Sequence, residues 1–234
     1  MADTTRPNAP TSGGGSADIW PFWARFAQLL VGLVLFGGSV ALLVRARLGL
    51  DSWDVLHQGL SRHTHVAIGT WVIVVSVVVL LLWVPLRQRP GIGTLCNVVL
   101  VGVSLNAALE VLPTPNGMGL RWVYLLGGIL LNGVATGAYI GAGLGPGPRD
   151  GLMVGLARRG HSIRVVRTAI ELTVLLAGFL LGGTVGIGTL LYAVSIGPLA
   201  HLMIPVLSLG RVVNGKDSPR HLRGPGACLF RAAL

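Results

Sequence analysis

The chain has 234 residues, 52% of them hydrophobic and only 11% charged, with a mean hydropathy of +0.73. A soluble domain carries roughly 25% charged residues, so this composition excludes a free globular domain and makes the lipid bilayer the expected solvent. The net charge of +10 does not indicate nucleic acid. Its Lys and Arg sit in the gaps between apolar stretches, where the positive-inside bias puts them, and not on one face or arm.

Residues 1–19 are rich in Gly, Pro, Ser and Thr and are predicted to be a disordered tail, unable to bury enough apolar surface to order themselves. The apolar run that follows is longer than the core of a signal peptide and is preceded by a long polar lead, so it is predicted to be a retained anchor. A membrane-crossing helix needs about 20 mostly apolar residues to cover about 30 Å of hydrocarbon. Six stretches qualify: 22–44, 66–84, 93–112, 121–143, 165–183 and 188–209. Two inserts, 48–62 and 144–162, separate the first span from the second and the fourth from the fifth. In the first insert Trp53, Leu56 and Leu60 recur at helical spacing against Asp51, Asp54 and Ser61. Asp51 is placed to cap that helix, and Pro148 to open the second one after Gly147. Some 12 residues of helix are only about 18 Å long. Such a helix lies along the interface or dips into the membrane and returns. Residues 210–234 are polar and basic and are predicted to be a disordered cytoplasmic tail.

With the N-terminus inside, only Arg45, Arg47, Arg62 and Arg121 fall on the outer side, leaving the other 14 of the 18 Lys and Arg inside. This predicts a multi-pass protein of a bacterial plasma membrane with both termini cytoplasmic. Arg45 and Arg47, against the rule, are expected to reach outer headgroups or phospholipid. Cys96 and Cys228 form no disulfide framework. No metal and no cofactor are expected.

The two inserts carry matching stretches, LGLDSWDVLHQGL at 48–60 and LGPGPRDGLMVGL at 144–156. They agree at Leu48/Leu144, Gly49/Gly145, Asp54/Asp150, Leu56/Leu152, Gly59/Gly155 and Leu60/Leu156, at an offset of 96 residues. Arg25/Arg121, Gly32/Gly128, Gly37/Gly133, Arg62/Arg158 and His65/His161 keep that offset, and GIGTL at 91–95 recurs at 186–190. Each half is a span, a short helix, a span, GIGTL and a third span. Two copies of an odd-numbered unit must insert in opposite orientations. The predicted fold is therefore all-α, with six transmembrane helices as two inverted three-helix repeats, 20–114 and 115–209. Each repeat has a short amphipathic or re-entrant helix after its first span.

The pattern of Leu-Gly and then Asp after the first span, with GIGT before the third, resembles the YczE/YitT-type bacterial integral membrane proteins. The resemblance covers about residues 22–209. It implies a bacterial plasma-membrane protein and supplies neither substrate nor functional residues.

Candidate solute- or ion-binding residues are Asp54, Asp150, Asn106, His201 and Glu110. Asp54 and Asp150 occupy equivalent first turns, where an acid complements the positive helix end. At a repeat interface they would instead form a cation, amine or proton site. On opposite surfaces they would be about 30 Å apart; on two re-entrant helices they would approach one another. Asn106 and Glu110 share a face of the third span, and His201 is the repeat equivalent of Asn106. A polar group in a span is by default a functional hypothesis, set against an inter-helix hydrogen bond or, for Glu110, simple solvation. Glu171, one turn beyond Arg167, is expected to pair with it, and Asn132 to bond a neighbouring helix. Gly133, Gly137 and Gly141 form a packing ridge whose partner is an internal helix or, in a homo-oligomer, a second subunit. The GIGTL threonines, Thr94 and Thr189, are expected to cap the helices that follow. The sequence contains no nucleophile, base and acid at catalytic spacing and no phosphate-cradling Lys, so an enzyme is not expected. The expected function is a transporter or permease-like protein for a small solute, with its site at the interface of the repeats. The alternative is a non-transporting membrane scaffold or regulatory subunit acting through the glycine ridge and basic tail.

Overall fold

The apolar runs of the sequence become helices, the last of them with Pro198 and Pro205 inside it, and the Gly- and Pro-containing gaps become the turns. The computed structural model describes residues 20–160 and 162–208, so both predicted tails lie outside the described residues. The described residues form eight helices and no strand. In chain order they are α1 (Phe22–Ala46), α2 (Ser52–Thr64), α3 (Ile68–Leu82), α4 (Ile92–Val111), α5 (Met118–Gly141), α6 (Pro148–Ala157), α7 (Ile163–Leu180) and α8 (Ile187–Leu207). Each predicted span and each insert is one of these helices.

The six-span expectation is met only in part. α1, α4, α5 and α8 are long and apolar enough to cross a membrane. A fifth span exists only if α2 and α3, bent by 117° at their junction, are counted as one broken span. α3 has 15 residues, a rise of about 22 Å, which falls short of the hydrocarbon. α7 has 18 residues but carries Arg164, Arg167 and Glu171 in its first half, a costly load at membrane depth.

The centre of the molecule is α1 crossed on α5. Leu29, Leu33 and Leu43 of α1 and Leu125 of α5 are fully buried. Small residues bring the two backbones together: a Cβ on Gly32 would meet Ala135, Ala138 and Tyr139, and one on Gly128 would meet Ser39 and Leu43. α4 lies against α1 at Gly37, which faces Val101 and Ser104; α8 lies against α5 at Gly133, which faces Leu199. These contacts recur at the offsets read from the sequence, 96 residues for Gly32 with Gly128 and, past the GIGTL segments, 95 for Ser104 with Leu199. Gly137 and Gly141 continue the ridge against Met203 and Leu207. The partner of the ridge is therefore α8 of the same chain.

The halves differ in their outer helices. α3 packs on α4, where Gly69 and Gly102 touch backbone to backbone and Asn106 Oδ1 accepts the Gly69 N–H at 2.8 Å. Among the described residues no comparable packing joins α7 to α8. α7 instead lies on α2, with Gly178 and Gly183 against Val55 and Leu56. This leaves an open groove on α7 along Arg164, Val165, Thr168, Ala169 and Leu172. Gly197 of α8, the repeat equivalent of Gly102, has nothing within 4 Å of where its Cβ would be.

Candidate functional site

Both short helices begin inside the molecule and end at its surface. Trp53, Asp54 and Val55 at the start of α2 are buried, whereas Arg62–His65 are exposed; Pro148 and Gly151–Gly155 of α6 are buried, whereas Arg158–Gly160 are exposed. The loops that deliver the two buried starts are held by the GIGT segment of the opposite half. Gly93 N donates to Leu144 O at 3.0 Å, and Gly188 N donates to Leu48 O at 2.8 Å. Gly49 and Gly145 lie at φ +126 and +133, a region an L side chain rarely adopts, and a Cβ on Gly49 would strike the Thr189 backbone. The threonines act three residues into their helices. Thr94 Oγ1 accepts the Gly91 N–H and donates to Pro146 O at 2.7 Å. Thr189 Oγ1 accepts the N–H groups of Gly186 and Leu50. The two sequence markers thus define one junction, because each dovetails into the other.

At this junction Arg149, in the first turn of α6, donates from Nη1 to Asp51 Oδ2 at 2.8 Å, tying α6 to the start of α2. Its guanidinium also lies 5.4 Å from the centre of the Phe36 ring, an attractive cation–π geometry. Asp51 holds the N-cap position of α2 but makes no side-chain cap bond; the arginine has taken its carboxylate. Asp54 Oδ1 lies 3.3 Å from His57 Nδ1. Asp150 Oδ2 accepts the Tyr139 hydroxyl at 3.0 Å. Of these groups Asp54, His57, Tyr139 and Arg149, together with Trp53 and Asn97, wall a cavity of about 50 Å3, and Asp51 and Asp150 stand behind them. One water-sized occupant needs about 10–15 Å3, so the space suits a ligand of a few heavy atoms. Two buried polar atoms on its walls, Trp53 Nε1 and His57 Nε2, have no hydrogen-bond partner in the protein. A buried polar atom left unpaired is costly, so both atoms call for a polar partner, water or ligand, within the cavity.

Of the residues singled out in the sequence, Asp54 and Asp150 come to the same junction. The others do not join them. Asn106 holds α3 to α4. Asn132 is fully buried and links Ser39 Oγ (2.8 Å) to the Tyr192 hydroxyl (2.9 Å). Glu171 pairs with Arg167 at 3.0 Å. Glu110 and His201 are exposed. Arg45, placed at the outer headgroups by the charge count, bonds Thr114 Oγ1 at 3.1 Å and the carbonyl of Leu109 near the end of α4. Trp53, His57, Tyr139 and Arg149 were not singled out as site residues. The signal for Arg149 was its departure from the repeat: the equivalent position in the first half is Trp53. Among the described residues no group of three or more His, Cys, Asp or Glu is placed to hold a metal ion.

A family model described as a family of unknown function, DUF6198, matches residues 23–205. The chain belongs to this family. Relatives include an uncharacterised protein of Haemophilus influenzae, 39% identical over 85% of this chain and 92% of its own length. The uncharacterised membrane protein YczE of Bacillus subtilis is 32% identical over 77% of this chain and 86% of its own. The uncharacterised protein YyaS of the same organism is 26% identical over 76% and 90%. The resemblance to YczE-type proteins read from the motifs therefore holds, and the chain is a membrane protein of that type. No solved structure matches.

Proposed function

We propose that this protein is a transporter for a small solute, built as two inverted repeats, with its site where α2 and α6 meet. The observation that carries this reading is the cavity at the buried starts of two half-helices, walled by residues of both halves. Inverted-repeat transporters build their sites in this way, from interrupted helices at the repeat interface near mid-membrane. The reciprocal bonds between each insert loop and the opposite GIGT segment support a pseudo-two-fold relation between 20–114 and 115–209. The distribution of Lys and Arg supports cytoplasmic termini and a plasma-membrane location.

The asymmetry of the outer helices supplies a route for alternating access. In the state described, α3 lies on α4 and α7 stands away from α8. Exchange of these two arrangements between the repeats would close the groove on one side of the site and open its counterpart on the other. The glycine ridge is occupied by α8, which favours this reading over a scaffold acting through that ridge. The test uses Ser76→Cys, on the cavity wall, in a background with Cys96 and Cys228 replaced by Ser. A membrane-impermeant thiol reagent should modify it when applied to either face of sealed vesicles. Protection from both faces would mark a closed, dry centre and overturn the transport reading.

A further inference from the structure

We infer that the cavity binds a small monovalent cation carrying N–H donors, of the ammonium or methylammonium class, together with a water molecule; this rests on the transport reading of the same site. The charges at the junction do not balance. Arg149 is neutralised by Asp51, which leaves two further carboxylates at the starts of α2 and α6: Asp54, beside His57 Nδ1, and Asp150, which accepts the Tyr139 hydroxyl; with His57 neutral, neither has a cationic side chain as its hydrogen-bond partner. Each helix end is worth roughly half a charge, so one positive charge restores neutrality. A divalent metal is disfavoured by the ligand set, since no three of His, Cys, Asp or Glu converge among the described residues.

The two unpaired atoms distinguish an N–H cation from an alkali ion. In the tautomer whose Nδ1–H donates to Asp54 Oδ1, His57 Nε2 is an acceptor, and its best partner is an N–H group. Sodium and potassium prefer oxygen ligands, and the wall at His57 offers nitrogen. Trp53 Nε1 is a donor only and takes the water that accompanies the ion. The volume of about 50 Å3 admits ammonium or methylammonium together with one water.

The experiment is thermal unfolding of the full chain in lipid nanodiscs, titrated with ammonium, methylammonium, sodium or potassium chloride at constant ionic strength. Ammonium and methylammonium should raise the unfolding midpoint saturably, with sodium and potassium inert. Asp54→Asn should weaken the apparent affinity at least about tenfold, equivalent to about 1.4 kcal/mol. Should Asp54→Asn not fold, His57→Phe, which removes the acceptor, must show the same loss. Equal stabilisation by sodium or potassium, no saturable effect of any cation, or an unchanged ammonium response in these variants would overturn the assignment. Ammonium uptake into vesicles is read in parallel. Binding without uptake would refute transport while leaving the ligand class standing. Uptake of a different solute with no ammonium effect would do the reverse.

Discussion

The Asp51–Arg149 pair is the residue-scale feature on which the junction depends. Its side chains retain 15% and 29% of their exposure, enough water to soften the interaction yet too little to solvate either charge fully. Removing one partner strands the other, so Arg149→Gln should cost about 2 kcal/mol, the order of a charge-assisted hydrogen bond. Adding Asp51→Asn should recover part of that loss, as a double-mutant cycle in chemical denaturation would measure. Additive losses would mean that the pair does not hold the helices together. A second residue-scale prediction concerns the buried Ser39–Asn132–Tyr192 chain. Asn132→Ala removes an acceptor from the Tyr192 hydroxyl and a donor from Ser39, and should lower the unfolding midpoint more than Asn106→Ala at the part-buried α3–α4 contact. Little of this chemistry was legible in the sequence. Asp51 read as an N-cap because its spacing suits one, and only its partner 98 residues away shows where its charge goes. His57 follows Asp54 by three residues, a local signal that the sequence did contain.

At the scale of elements, the sequence located every helix, because apolar runs and Gly-Pro breaks are local features. What it could not weigh was length against charge. α3 stops at 15 residues, three before Pro85; Trp83, just past its end and still in helical conformation, bonds Pro148 O through Nε1 at 3.0 Å and packs on Gly151. The pairing of α7 with α2 rather than α8 depends on tertiary contacts through Gly178 and Gly183 that no periodicity announces. The repeat does predict a second arrangement for α7. Aligned on their helix starts, Thr168 corresponds to Ile73, which touches Gly102, and Gly102 corresponds to Gly197. Thr168→Cys with Gly197→Cys, in the background lacking Cys96 and Cys228, should form a cross-link under mild oxidation as α7 visits α8. That cross-link should then block thiol access to the cavity from one face. Absence of any cross-linked product would confine the asymmetry to a fixed feature of the fold.

For the whole molecule, the internal repeat was visible at the level of single residues, since the matched glycines and acids are those that the junction needs. Gly49 and Gly145 recur because their backbone conformations do, and the two GIGT segments recur because each receives the opposite insert loop. The account therefore stands on α2 and α6 entering from opposite faces of one membrane and meeting inside it. Their exposed ends carry the most direct test: single cysteines at His63 and Arg159, in the background lacking Cys96 and Cys228, labelled with an impermeant maleimide on intact cells and again after permeabilisation. The account predicts that His63→Cys labels on intact cells and Arg159→Cys only after permeabilisation. Labelling of both from the same face would contradict it.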